Sequence, residues 1–166
     1  YLGVNADTIN AGLESYLGVK RRFEYHVETE SHVYIDDYAH HPAEIEAFLS
    51  SVKALYPNKH ITAIFQPHLF TRTRDFADDF AKSLSVVDRL WLMDIYPARE
   101  LPITGGTAEL LLEKIHIVDK KLASKEDIIV FLSEESTEIV VTIGAGDIDK
   151  LVLPIKNILQ APFSNY

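Results

Sequence analysis

Short β-branched and aromatic runs alternate along most of this chain with stretches of helical periodicity, and nearly every run ends in a polar turn. Strands are predicted at 60–65, 89–95, 116–118 and 138–143, with helices at 43–56, 73–84, 107–114 and 125–132 between them. Strands joined through helices need crossover connections, so the pattern predicts a mostly parallel sheet with helices on both faces. Two earlier runs, 23–27 and 32–35, flank a short polar stretch and read as a hairpin. One strand near the N-terminus should therefore run antiparallel to its neighbour, in an α/β sheet of about six strands.

Finer signals fit this frame. Ile9, Leu13 and Tyr16–Leu17 form a short helical pattern that Gly18 should close. The helix from Thr73 gathers Phe76, Ala77, Phe80, Ala81 and Leu84 on one face, as core residues would. Ser124 to Asp127 has the form of a capping box before Ile128–Leu132. The last helix should begin near Asp147, and Pro154 should kink or divide it.

With 166 residues, one well-buried domain is expected. Hydrophobic residues at 47% and charged ones at 25% are ordinary for a globular protein. A formal charge of −9 argues against a nucleic-acid surface or an anionic membrane as partner. There is no cysteine, so no disulfide framework or thiolate metal site. No apolar run reaches a membrane span and no signal peptide opens the sequence, so a cytoplasmic location is expected. A chain that opens on Tyr1 rather than methionine is expected to be part of a longer one.

The polar turns hold the chemistry. Ile35-Asp36-Asp37-Tyr38-Ala39-His40-His41-Pro42 places two acids, a tyrosine and two imidazoles between a strand and a helix that Pro42 opens. Ligands of α/β sheets bind at that end, where backbone amides and the helix dipole converge. The same residues also suit turn and N-cap roles, His41 above all. Gln66-Pro67-His68 with Thr71-Arg72-Thr73-Arg74 repeats the arrangement with guanidinium groups, which favour carboxylate or phosphate. Arg72 and Arg74 could instead pair with Asp75, Asp78 or Asp79. Asp94 to Glu100 and Gly144-Ala145-Gly146-Asp147 follow two further strands; turn chemistry and close backbone packing explain these glycines as well as a ligand does. No phosphate-loop motif occurs, and adjacent His40 and His41 cannot chelate one ion in the usual geometry, so no metal ligand set is assigned.

These blocks, in this order, closely resemble the C-terminal domain of the bacterial Mur ligases. Asp36 to Pro42 resembles a motif of the whole family; Phe65 to His68 and Tyr96-Pro97-Ala98-Arg99-Glu100 favour its alanine-adding member. Gly18 to Glu24 looks like the segment that leads into that domain, so residues 1–21 are read as a connector and 22–166 as the domain. The resemblance implies a Rossmann-like fold. It also implies a share in a reaction in which ATP phosphorylates the carboxylate of UDP-N-acetylmuramate and L-alanine attacks the acyl phosphate. The partners implied are the N-terminal and central domains of the same ligase, which would hold the nucleotide sugar, the ATP phosphates and Mg²⁺; the isolated chain would be inactive.

Residue by residue, the resemblance assigns Arg22, Asp37 and Tyr38 to the nucleotide. It assigns His40, His41, His68 and Arg72 to the incoming amino acid, with His41 and His68 also open to a structural role. Leu69 stands where some members carry a second arginine, and Arg74 is a candidate to replace it. Two other readings stay open: the related ligase that adds a preformed peptide to recycled muramyl nucleotide, and a non-catalytic module that binds a nucleotide or acidic metabolite.

Overall fold

The computed structural model describes residues 3–15 and 18–161. Its centre is a six-stranded sheet ordered β1-β2-β6-β3-β4-β5. The strands are β1 (Glu24–Glu28), β2 (Val33–Asp37), β3 (Ile61–Phe65), β4 (Arg89–Leu92), β5 (Asp119–Leu122) and β6 (Ile139–Ile143). All neighbours pair in parallel except β1 and β2, the antiparallel hairpin. Every residue of β2, β3 and β6 is buried, because helices cover both faces and leave no solvent side on which polar residues could alternate.

Helices α2 (Pro42–Leu55), α4 (Ala77–Leu84) and α5 (Ala108–Lys114) cover one face, where Ile45, Leu49, Phe80, Leu84 and Leu111 meet Ile35, Phe65 and Val141 of the strands. On the other face α6 (Lys125–Glu134), a 3-10 turn (Asp147–Leu151) and α7 (Val152–Gln160) bury Ile128, Leu132, Ile148 and Ile155 against Tyr34, Ile64 and Trp91. The Ser124–Asp127 capping box opens α6 as expected. Pro154 lies in the first turn of α7, so the proline region is divided into 3-10 and α segments.

Four expectations are corrected. The helix predicted over 73–84 is two helices, α3 (Phe70–Asp75) and α4, broken at Phe76. α3 follows the rim and buries only Thr73, whereas α4 must turn to pack on the sheet. Phe76 is accordingly half-exposed at 37% and lies against the His41 ring instead of in the core. The strand predicted at 116–118 lies at Asp119–Leu122, and Val118 is fully exposed. As an edge strand β5 has one polar, half-exposed side; its Lys120 Nζ donates to the carbonyls of Leu112 and Ile115, each at 2.6 Å, at the end of α5. The strand from Arg89 stops at Leu92, three residues early. Finally, α1 (Ala6–Glu14) ends at the Ser15 cap, before Gly18, and buries none of its residues; Tyr16 and Leu17 lie outside the described residues.

Candidate functional site

Strands β2, β6 and β3 finish level, Asp37 beside Ile143 and Ile143 beside Phe65, so the loops that follow them form one rim. Asp37 is at its centre. Its carboxylate accepts backbone hydrogen bonds from Phe23 at 2.7 Å and Ala39 at 2.8 Å. Burial pushes its pKa up, against the opposing pull of those two amides and of the Arg22 charge. Asp37 thus ties the segment leading into β1 to the end of β2.

Arg22 stands beside it, exposed, and its guanidinium makes no hydrogen bond or ion pair with any described residue. It lines a cleft of about 340 Å³ with Phe23, Asp37, Glu44, Phe48 and Ser51. Glu44 accepts from the His40 amide at 3.0 Å and the His41 amide at 3.2 Å, two donors the start of α2 would otherwise leave unpaired. Burial raises the Glu44 pKa, but those amides with the His40 and Arg22 charges outweigh it and hold the carboxyl below its ordinary value.

The second half of the rim is aromatic and cationic. Tyr38 is exposed at 39% and stands edge-on to the His40 ring, with centroids 5.5 Å apart. His40 Nδ1 lies 3.0 Å from the Tyr38 carbonyl, an acceptor, so Nδ1 carries a hydrogen. The His68 ring lies 6.1 Å from that of His40 and stacks on Tyr96 at 5.6 Å. A parallel bridge between His68 and Tyr96 brings their two loops together. Burial lowers the His68 pKa, and the Arg72 and His40 charges lower it further against Glu100. Glu100 itself is occupied by the Thr71 amide and hydroxyl at the start of α3. Two buried nitrogens here have no hydrogen-bond partner among the described residues, His68 Nδ1 and the donor Arg72 Nη1. An unpaired buried donor costs about 1–3 kcal/mol, which an oxygen ligand would recover.

The Gly144-to-Asp147 loop supports the rim from behind. Gln66 donates to Asp147 Oδ1 and accepts from the Ile148 amide, each at 2.9 Å, and a Cβ on Gly146 would fall 2.4 Å from Gln66 Oε1. These glycines therefore serve close packing in this structure. Burial raises the Asp147 pKa, but Lys125, Gln66 and Lys150 outweigh it and bring the carboxyl down to about 2. A folded value below the unfolded one contributes stability above about pH 4, lost as pH falls toward about 2. Asp147→Asn should flatten this acid limb and cost about 1–2 kcal/mol at neutral pH. Urea titrations across that pH range check it, and an unaltered limb would remove the network from the balance.

Of the residues singled out in the sequence, the structure brings together His40, His68 and Arg72, with Arg22, Asp37 and Tyr38 beside them. His41 stands apart as the N-cap of α2, its ring 4.9 Å from that of Phe76. Arg72 pairs with none of the neighbouring aspartates, while Arg74 donates to Asp75 at 2.7 Å. Sequence reasoning missed Glu44, although its spacing from His41 is that of a capping box. It also missed Arg21, whose ion pair with the buried Asp36 had no sequence signal. Glu24, His26 and Asp36 come within metal-ligating reach of one another, but Arg21 already donates to both carboxylates, to Glu24 Oε2 from its amide and to Asp36 Oδ2 from its guanidinium.

The profile of the Mur ligase, glutamate ligase domain family matches residues 21–147, a span that includes every rim residue named above. The chain belongs to the Mur ligase family. Among its relatives, the UDP-N-acetylmuramate–L-alanine ligase of Cytophaga hutchinsonii is 52% identical over 94% of this chain and 34% of its own length. That of Flavobacterium johnsoniae is 50% identical over 95% of this chain and 35% of its own length. This Mur ligase domain therefore spans about a third of the length of those relatives. The crystal structure of UDP-N-acetylmuramate-alanine ligase from Thermotoga maritima superposes with a TM-score of 0.76 at 24% identity, over 96% of this chain and 34% of that one. A murein peptide ligase from Psychrobacter arcticus gives 0.63 at 24% identity, over 93% and 34%. Both share the fold described above.

Proposed function

We propose that this chain, with residues 1–21 as connector and 22–166 as the folded unit, is the C-terminal domain of a cytoplasmic ATP-dependent ligase that adds L-alanine to UDP-N-acetylmuramate for peptidoglycan synthesis. The observation that carries the proposal is the buried, unpartnered guanidinium donor Arg72 Nη1 on one rim with His40 and His68. A small amino-acid carboxylate suits this guanidinium. The domain's contribution is positioning and charge neutralisation, which account for much of the barrier in acyl-phosphate chemistry. The names of the relatives at 52% and 50% identity support alanine as the acceptor.

Arg22 fits a phosphate, because its guanidinium is unpaired among the described residues and lines an open cleft that Asp37 shares; Tyr38, the next residue, is exposed. No step is assigned to Mg²⁺ within this chain, where each Asp37 oxygen accepts from a backbone amide and the carboxylate holds the turn. Among the described residues, no helix is long and apolar enough to cross a membrane.

The isolated chain, lacking a phosphate loop, should release no ADP from ATP with UDP-N-acetylmuramate and L-alanine, and joining it to the remaining two-thirds of the enzyme should restore ligation. Turnover by the chain alone overturns this division of labour. Restored ligation of UDP-N-acetylmuramate with a free tripeptide but not with L-alanine would assign the domain to the recycling ligase.

A further inference from the structure

Arg21 lies outside every role assigned so far, yet its side chain touches three parts of the rim. Its Nε donates to Asp36 Oδ2 at 2.8 Å, and Nη2 donates to the Gly144 carbonyl at 2.6 Å. The guanidinium also sits 5.1 Å from the centroid of the Tyr38 ring. Asp36 is fully buried, and its other oxygen accepts from Thr142 at 2.6 Å, which in turn pairs with the Tyr34 hydroxyl at 3.0 Å. One side chain thus joins β2, β6 and the Tyr38 turn.

The backbone around it is held as firmly. The Arg21 carbonyl accepts from the Tyr38 amide at 2.7 Å, and Phe23 donates to Asp37. Arg21 and Phe23 both adopt left-handed conformations, φ 57° and 48°, which cost about 1–3 kcal/mol each in a residue with a side chain. Such a backbone persists only where its surroundings enforce it. Arg22 lies between the two, so Arg21 turns inward to Asp36 while Arg22 stays at the surface. A buried ion pair adds little net stability over an apolar pair, but it can select one arrangement of the chain.

We infer that Arg21 is a positioning residue: its pairing with Asp36 and Gly144 fixes the segment that presents Arg22 to the ATP phosphates. The inference rests on the proposed nucleotide role of Arg22. In the full-length ligase, Arg22→Ala sets the scale of ATP loss. Arg21→Lys keeps a charge against Asp36 but cannot span Asp36 and Gly144 together, and Arg21→Met with Asp36→Asn removes both charges, so no lone charge is left buried. Both Arg21 variants should raise the KM for ATP about 10-fold with the KM for L-alanine within about twofold. Added to Arg22→Ala, Arg21→Lys should cause no further ATP loss, because its effect passes through Arg22. Thermal melts of Arg21→Met/Asp36→Asn should show one cooperative transition, which separates positioning from unfolding. An ATP KM that responds to Arg22→Ala but to neither Arg21 variant overturns the positioning role alone, as does an equal rise in both KM values. A flat response to Arg22→Ala overturns the nucleotide reading, and the positioning role with it.

Discussion

Arg72→Ala in the full-length ligase is expected to raise the KM for L-alanine by about 30-fold or more, the effect of removing one partner of a buried charge pair, while that for ATP stays within about twofold. Two neighbouring groups are poor substitutes for this cation. His68 is held toward its neutral form by burial and by Arg72 itself, and Arg74 is engaged with Asp75. Lysine should rescue only in part, since it cannot reproduce the planar fork. Because Arg72 Nη1 is buried without a partner, its removal should leave the melting temperature unchanged or higher. Lost binding with retained stability marks a residue kept for its ligand. Initial rates against each substrate, with thermal melts, test this; an unaltered L-alanine dependence would take Arg72 out of the site.

Gly144→Ala should destabilise the domain by about 3–5 kcal/mol, overpacking and backbone strain acting together. A Cβ there would lie 2.8 Å from the Gln66 carbonyl oxygen, a backbone atom that cannot swing aside, and φ is +147°. Moving Gly144 would also pull its carbonyl from Arg21 and its amide from the Asp37 carbonyl. Urea denaturation measures the loss. A cost below about 1 kcal/mol would mean that the loop shifts as a unit at little expense.

The sheet was legible because its inner strands are buried on both sides, so that residues 33–35 and 139–141 write themselves as consecutive apolar or aromatic runs. The edge strand Asp119–Leu122 was not, since its pairing owes more to the backbone than to apolar side chains. Phe76 misled for a related reason: periodicity reports which residues could share a helix face, whereas the break that turns α4 onto the sheet is a tertiary demand. The rim was legible at His40, His68 and Arg72, where polar residues cluster after strands. Arg21 was hidden between Lys20 and Arg22, since nothing local says which of three consecutive cations turns inward.

The two borders of the sheet bear on how such a domain behaves among its neighbours. Asp119-Lys120-Lys121-Leu122 lines one border, and at the other β1 carries Glu24 and Glu28 and breaks register between Tyr25 and Val27. Charged side chains and a bulge deny an approaching strand a flat template for pairing. The sheet therefore stops at six strands, protected against edge-to-edge aggregation. A unit with guarded borders can move against other domains without adhering to them through its backbone.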